Sequence, residues 1–224
     1  MTFLVAFARP DFAVLASDTR TRFHQTAYGD CTGFSDDDVK LKPCGNGWLA
    51  SGPSLAWRDV VLTAHAARDN NAYMRAMREL EEQQPEDARF IAERQQTIRI
   101  GANDAGCFRQ YFNWMGLELG GGDATVPVPL YPVGSKPAAL QQRFTAYQHA
   151  VRAASLPAIL TATAGLYRDV YAHCGPEGSM SPLLSVGIVW ADGRRTLVGP
   201  LPHDTITAAS DECLAALLTA EVTT

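Results

Sequence analysis

Apolar residues gather in short runs at the start of the chain. Residues 3–8 and 12–16 are almost unbroken Phe, Leu, Val and Ala, joined across Pro10 and Asp11 and closed by Ser17 and Asp18. Runs of this length bounded by turn residues predict two β-strands. Residues 39–44 and 47–51 predict two more, punctuated by Pro43, Gly45 and Asn46. Pro53 and Ser54 suit the first turn of a helix carrying Trp57, Val60, Val61 and Ala64 at helical spacing. A charged helix follows over about 72–83, with Pro85 as its breaker and a brief resumption over 86–94. Residues 96–101 alternate as a strand, with further short strands around 107–111, 116–119 and 126–131. Pro137 opens a helix whose apolar face is Leu140, Phe144, Tyr147 and Val151, and another begins near Pro157 with Leu160, Thr163, Tyr167 and Val170 on one face. Residues 184–190 form a strongly apolar strand that turns at Asp192 and Gly193 into a partner at 196–198, and a last helix covers about 204–220. This order predicts an α+β domain in which two sheets pack face to face and are covered by helices.

Composition narrows the function classes. The 224 residues, 46% hydrophobic and 19% charged, suit one domain with a single sizeable core. A net charge of −5 leaves no basic surplus to displace phosphate counterions, so no nucleic-acid partner is expected. No apolar stretch approaches the length of a membrane span, and the start lacks the regions of a secretory signal, which predicts a cytoplasmic protein with no membrane partner. The cysteines, Cys31, Cys44, Cys107, Cys174 and Cys213, are odd in number and widely spaced, and the histidines show no ligand spacing. Neither a disulfide framework nor a metal is expected. Gly120, Gly121 and Gly122 lack the context of a phosphate cradle and read as a hairpin or strand-end turn, and no cofactor is expected.

The candidate chemistry begins at Thr2. It follows Met1 directly, and aminopeptidases that trim initiator methionine accept a small second residue. Trimming would place a hydroxyl and a free α-amine on one residue. An α-amine has a pKa of about 7.7 to 8.0, so it can take the hydroxyl proton during attack on a carbonyl. Taken alone, Thr2 is simply the residue after a start codon. A lysine ammonium beside it would stabilise the developing alkoxide, and a carboxylate would hold that ammonium in place. Only Lys40, Lys42 and Lys136 occur among 19 basic residues, so a lysine in the strand over 39–44 stands out, although a solvated strand-edge charge is the plainer alternative. Lys40 and Lys42 would share a face because strand side chains alternate.

Residues 2–8, residues 14–18 with Thr19, Arg20 and Thr21, then Val39, Lys40 and Leu41, then Leu49, Ala50, Ser51 and Gly52 form a pattern that resembles the β-subunits of proteasomes and their bacterial relatives. Val133, Gly134 and Ser135, and further on Tyr167, Arg168 and Asp169, extend the resemblance over most of the chain. It implies the four-layer αββα sandwich of N-terminal-nucleophile hydrolases and a threonine peptidase built as two stacked homo-oligomeric rings, a tetradecamer ahead of a dodecamer. Thr2 would be the nucleophile, Asp18 and Lys40 its charged partners, and the Gly52 N–H the oxyanion hole, with Ser135 and Asp169 orienting the α-amine. The resemblance selects Lys40 over Lys42 because Leu41 follows it. It places Ala50 and Ser54 in the primary substrate pocket, with Arg20, Thr21 and Arg22 on the substrate side. Peptides or unfolded chains would be the substrates, and a partner unfoldase is left open.

Two departures mark the chain. Relatives carry a serine three residues after the Arg-Asp aspartate, where Ala172 stands here, followed by His173, which is read as a helix-end cap rather than a replacement. The stretch over 22–39 is longer than in relatives and reads as an extended acidic loop, whose Asp36, Asp37 and Asp38 would repel acidic substrates and favour basic or unfolded ones. The acidic loop and the start at Met-Thr look most like the betaproteobacterial proteasome homologues, with the HslV and Anbu peptidases as nearest alternatives. A catalytically silent scaffold subunit and a small-amide acylase of the same mechanism are the competing functions.

Overall fold

A computed structural model describes residues 3–24, 31–52, 75, 78–79, 81–83, 85, 96–112, 118–121, 142–143, 145–147, 154–175, 180–210, 212–213 and 216. Thr2, Ser54 and Ser135 lie outside the described residues.

The two opening runs form β1 (Leu4–Ala8) and β2 (Phe12–Asp18), an antiparallel pair in the register Leu4 to Ser17 through Ala8 to Ala13. A ribbon of β3 (Thr21–His24) and β4 (Cys31–Ser35) follows. Next come β5 (Lys42–Cys44), β6 (Gly47–Gly52), β7 (Gln96–Asn103), β8 (Gly106–Phe112) and β9 (Glu118–Gly121), which make a five-stranded sheet in chain order. Helix α1 (Leu156–Cys174) leads to β10 (Leu183–Trp190) and β11 (Arg195–Pro202), and then to the short helix α2 (His203–Ala208). The last two strands join the first two in an antiparallel sheet of order β1-β2-β10-β11. Both large sheets are antiparallel and the chain is α+β.

The first two strands are apolar at nearly every position because both of their faces are covered. Alternate side chains point to opposite faces. Leu4, Ala6, Ala8, Ala13 and Leu15 meet Trp48, Ala50, Ile98 and Ile100 of the five-stranded sheet. Phe3, Val5, Phe7, Val14 and Ala16 meet Ile159, Leu160, Tyr167 and Val170 of α1. Among the described residues this gives a helix layer, a four-stranded sheet and a five-stranded sheet stacked in that order. The sheets approach closely at Gly187 of β10, where a Cβ would lie 2.8 Å from both Leu41 and Trp48. The Trp48 indole N–H donates to the Ile188 carbonyl at 3.1 Å across the same gap.

Several elements differ from the sequence expectation. Residues 37–41 are irregular, and the strand expected over 39–44 is only β5; Pro43, which lacks an N–H, sits on this edge strand, the place a sheet tolerates it. The extended loop expected over 22–39 contains the β3–β4 ribbon, whose Thr, Phe and Cys residues favour extended backbone. Pro85 has helical backbone, and residues 84 and 86–94, where the expected break and resumption fall, lie outside the described residues. The helix expected over 204–220 stops at Ala208, with Ala209 extended, and helical backbone returns at residues 212–213. Gly120 and Gly121 belong to β9 rather than to a turn. The strand expected around 126–131 and the helix over about 53–64 lie outside the described residues. Among the described residues no helix is long and apolar enough to cross a membrane.

Candidate active site

Strand β2 ends at Asp18, whose side chain is fully buried. A carboxylate in that position needs partners for its lone pairs, and the chain supplies them from several segments. Oδ1 accepts the Phe3 N–H at 2.8 Å and the Lys40 ammonium at 3.0 Å. Oδ2 accepts the Arg20 N–H at 3.1 Å and, at a longer 3.5 Å, the Ser181 N–H. The Asp18 N–H in turn donates to the Phe3 carbonyl at 3.3 Å, so Phe3 and Asp18 extend the β1–β2 ladder by one pair. The residue immediately after Thr2 is thus tied to Asp18 twice, by its N–H to the carboxylate and by its carbonyl to the Asp18 backbone N–H.

Lys40 is 4% exposed, and its ion pair with Asp18 lies inside the protein. Taking two charges from water costs several kcal/mol per ion, so such a pair persists only where hydrogen bonds and geometry compensate. The compensation here comes from backbone N–H donors on both carboxylate oxygens, which form strong charge-assisted bonds. Leu41 holds the segment in place, buried in the inter-sheet core against Gly187. Because residues 37–41 are not a strand, Lys40 and Lys42 do not share a face: Lys42 reaches Asp38 at 3.3 Å instead.

A neutral shell backs the carboxylate. Thr19 and Ser181 share a buried hydroxyl–hydroxyl hydrogen bond of 2.7 Å, and the Leu183 N–H donates to the Ser181 hydroxyl at 3.0 Å. The Tyr167 hydroxyl donates to the Ser181 carbonyl at 2.6 Å, and its ring packs edge-on against Phe3 with centroids 5.5 Å apart. Burial raises the Tyr167 phenol above its ordinary value, so it stays a donor. Sequence reasoning passed over Ser181 and used Tyr167 only as a motif and core residue. No local signal distinguishes Ser181, since it gains its meaning only when the segment before β10 folds back beside β2.

The remaining expected residues fall as follows. The Arg20 guanidinium is engaged by Asp36, with Nε to Oδ1 at 2.8 Å and Nη2 to Oδ2 at 2.7 Å. Thr21 donates its hydroxyl to Asp38 at 3.3 Å. Arg22 lies in β3 opposite Phe34. Gly52 is the last residue of β6, paired with Gln96. Ala50 is wholly enclosed in the inter-sheet core. Asp169, on α1, pairs with Arg143 at 3.4 Å and its side chain is 36% exposed. His173 bonds through Nδ1 to the Asp169 carbonyl at 2.8 Å, within its own helix, and Ala172 is exposed. The structure therefore brings Asp18, Lys40 and the Arg20 backbone together, and it turns the Asp169 carboxylate toward Arg143.

No protein-family model matches the chain, and no curated protein is significantly similar to it.

Proposed function

We propose that the protein is an N-terminal threonine hydrolase of peptide bonds, of the proteasome β-subunit type and with the αββα sandwich of that family. The observation that carries this reading is the buried Lys40–Asp18 pair on the Phe3 N–H. That nitrogen is bonded to the Thr2 carbonyl carbon over about 1.33 Å, so Thr2 is one peptide unit from the pair. A buried ion pair is poor value as a stability device. Placed beside a potential nucleophile, it has a chemical use.

In this reading removal of Met1 frees the Thr2 amine. The Thr2 hydroxyl oxygen attacks the scissile carbonyl carbon as its proton passes to the α-amine. Lys40, oriented by Asp18, lowers the cost of the alkoxide, and the Gly52 N–H receives the oxyanion. The leaving amine takes the proton and an ester links substrate to Thr2. Water then cleaves that ester, releasing the acid and restoring the hydroxyl. Ser135 and Asp169 would orient the amine, and the subunits would stack as two rings, a tetradecamer ahead of a dodecamer, around an inner chamber. A cytoplasmic location and peptide or unfolded-chain substrates belong to the same reading.

The engagement of Asp169 by Arg143 and the missing hydroxyl at Ala172 favour a second reading, a silent scaffold subunit of the same assembly. Peptide hydrolysis by the wild type and by Thr2→Ala and Lys40→Ala decides between them. The peptidase reading expects cleavage by the wild type and about a thousandfold less by either variant. Wild-type protein without hydrolysis, or hydrolysis untouched by Thr2→Ala, contradicts it.

A further inference from the structure

The inward turn of the acidic run gives it a role that its charge alone does not suggest. Residues 19–20 link β2 to β3 outside any strand, so no ladder fixes their peptide planes. The Arg20 N–H nevertheless meets Asp18 Oδ2 at 3.1 Å, the shorter of the two bonds to that oxygen. Residue 20 is also held at its other end. The guanidinium is forked onto both oxygens of Asp36, and the Phe34 ring lies 3.9 Å from its carbon. The Arg20 side chain is 8% exposed and that of Asp36 22% exposed, whereas Phe34 is 57% exposed and acts as a lid on the fork. The β3–β4 ribbon sets the distance, since Thr21 pairs with Ser35 and each charged residue is the next one outward.

We propose that Asp36 is a positioning residue of the candidate active site: through the Arg20 fork it fixes the backbone N–H that orients the second oxygen of Asp18, and so the carboxylate that holds Lys40. A bidentate fork defines orientation as well as distance, which a lysine at position 20 could not reproduce. The hydrogen bonds it donates to Asp36 hold the guanidinium above its ordinary value against the opposing effect of burial, so the fork stays charged. Asp38 is also turned inward, accepting from Thr21 and Lys42 at 3.3 Å each. Of the three aspartates only Asp37 is exposed, which leaves little of the run to act as a field on substrates. The catalytic consequence rests on the peptidase reading, and the positional one does not.

The test uses the full-length chain and Asp36→Asn, with Asp37→Asn as control. Residue-resolved hydrogen exchange reads the Arg20 amide, and intact mass follows the rate of adduct formation with a peptide epoxyketone. Asp36→Asn is expected to speed exchange at Arg20 about tenfold while the β3 and β4 ladder amides keep their protection. It is also expected to slow adduct formation about tenfold and shift its pH profile, because one charge-assisted contact on Asp18 is loosened. Asp36→Glu restores part of both effects, and Asp37→Asn changes neither. Unchanged Arg20 exchange in Asp36→Asn overturns the proposal, as does uniform loss of protection across the whole ribbon, which would mark a merely structural pair. Arg20→Lys, which keeps the charge and loses the fork, gives the same discrimination if Asp36→Asn does not fold. A wild type that forms no adduct removes the peptidase reading while the exchange result still decides the clamp.

Discussion

At Asp18 one carboxylate oxygen serves two purposes, closing the end of a β-ladder on Phe3 and receiving the ammonium of Lys40. Removing the cation leaves a buried negative charge with backbone donors only. Lys40→Met is therefore expected to destabilise the protein by about 3 to 5 kcal/mol, measured by denaturant unfolding, with loss of any Thr2-dependent hydrolysis. Asp18→Asn keeps the shape but leaves the Lys40 ammonium buried without its anion and turns an amide NH2 toward backbone N–H donors, so a comparable loss of stability is expected, together with loss of that hydrolysis. Part of this centre was legible in the sequence: Asp18 stands at the end of a readable strand, and Lys40 is one of very few lysines. The choice of Lys40 over Lys42 needed the resemblance, and the alternation argument failed because residues 37–41 are not a strand. The contacts of Ser181 and Asp36 were invisible because each joins residues far apart in the chain or depends on an unread ribbon.

The elements explain how that centre is held. Strands β1 and β2 were readable because a sheet covered on both faces demands apolar residues at every position, and α1 because Pro157 and a clear apolar face mark it. The β3–β4 ribbon was hidden by its acidic end, although its Thr and Phe content carried a strand signal, and the strand read over 39–44 ran too long because Lys40 and Leu41 are engaged by Asp18 and the inter-sheet core rather than by a strand partner. Leu41 anchors the Lys40 segment through its contact with Gly187 and Trp48 at the sheet interface. Gly187→Ala would push a methyl into both side chains. It is expected to cost about 1 to 3 kcal/mol in unfolding free energy and to displace Lys40 from Asp18, visible as reduced adduct formation relative to a mutant of equal stability elsewhere. Unchanged stability would show that the sheets can separate without cost. Asp37→Asn, on the exposed side of the ribbon, should stay within about 0.5 kcal/mol of wild type and leave peptide preference unchanged.

Across the whole molecule, buried ionisable groups set how the fold responds to alkali. Burial pushes the Cys107 thiol up to about 11 from an ordinary 9.0, and it raises the Cys44 thiol and the Tyr167 phenol as well. The unfolded chain releases these protons first, so their contribution to stability is complete below pH 9.0 and declines as pH rises toward about 11. Unfolding measured across that window is expected to weaken with pH, and alkylation at pH 8 to label the exposed Cys31 and Cys213 before Cys44 and Cys107. Equal labelling of all four would contradict this burial pattern. Stacked helix and sheet layers leave the end of β2 as the place where distant segments converge, and the proposed peptidase activity requires a free amine on Thr2. The most direct test is the intact mass of purified protein after incubation with a peptide epoxyketone, a warhead that needs a hydroxyl and a free amine on one residue. A threonine peptidase of the proposed kind is expected to appear as a chain lacking Met1 that carries a single adduct on Thr2; protein that keeps Met1 and still cleaves peptides would contradict that function.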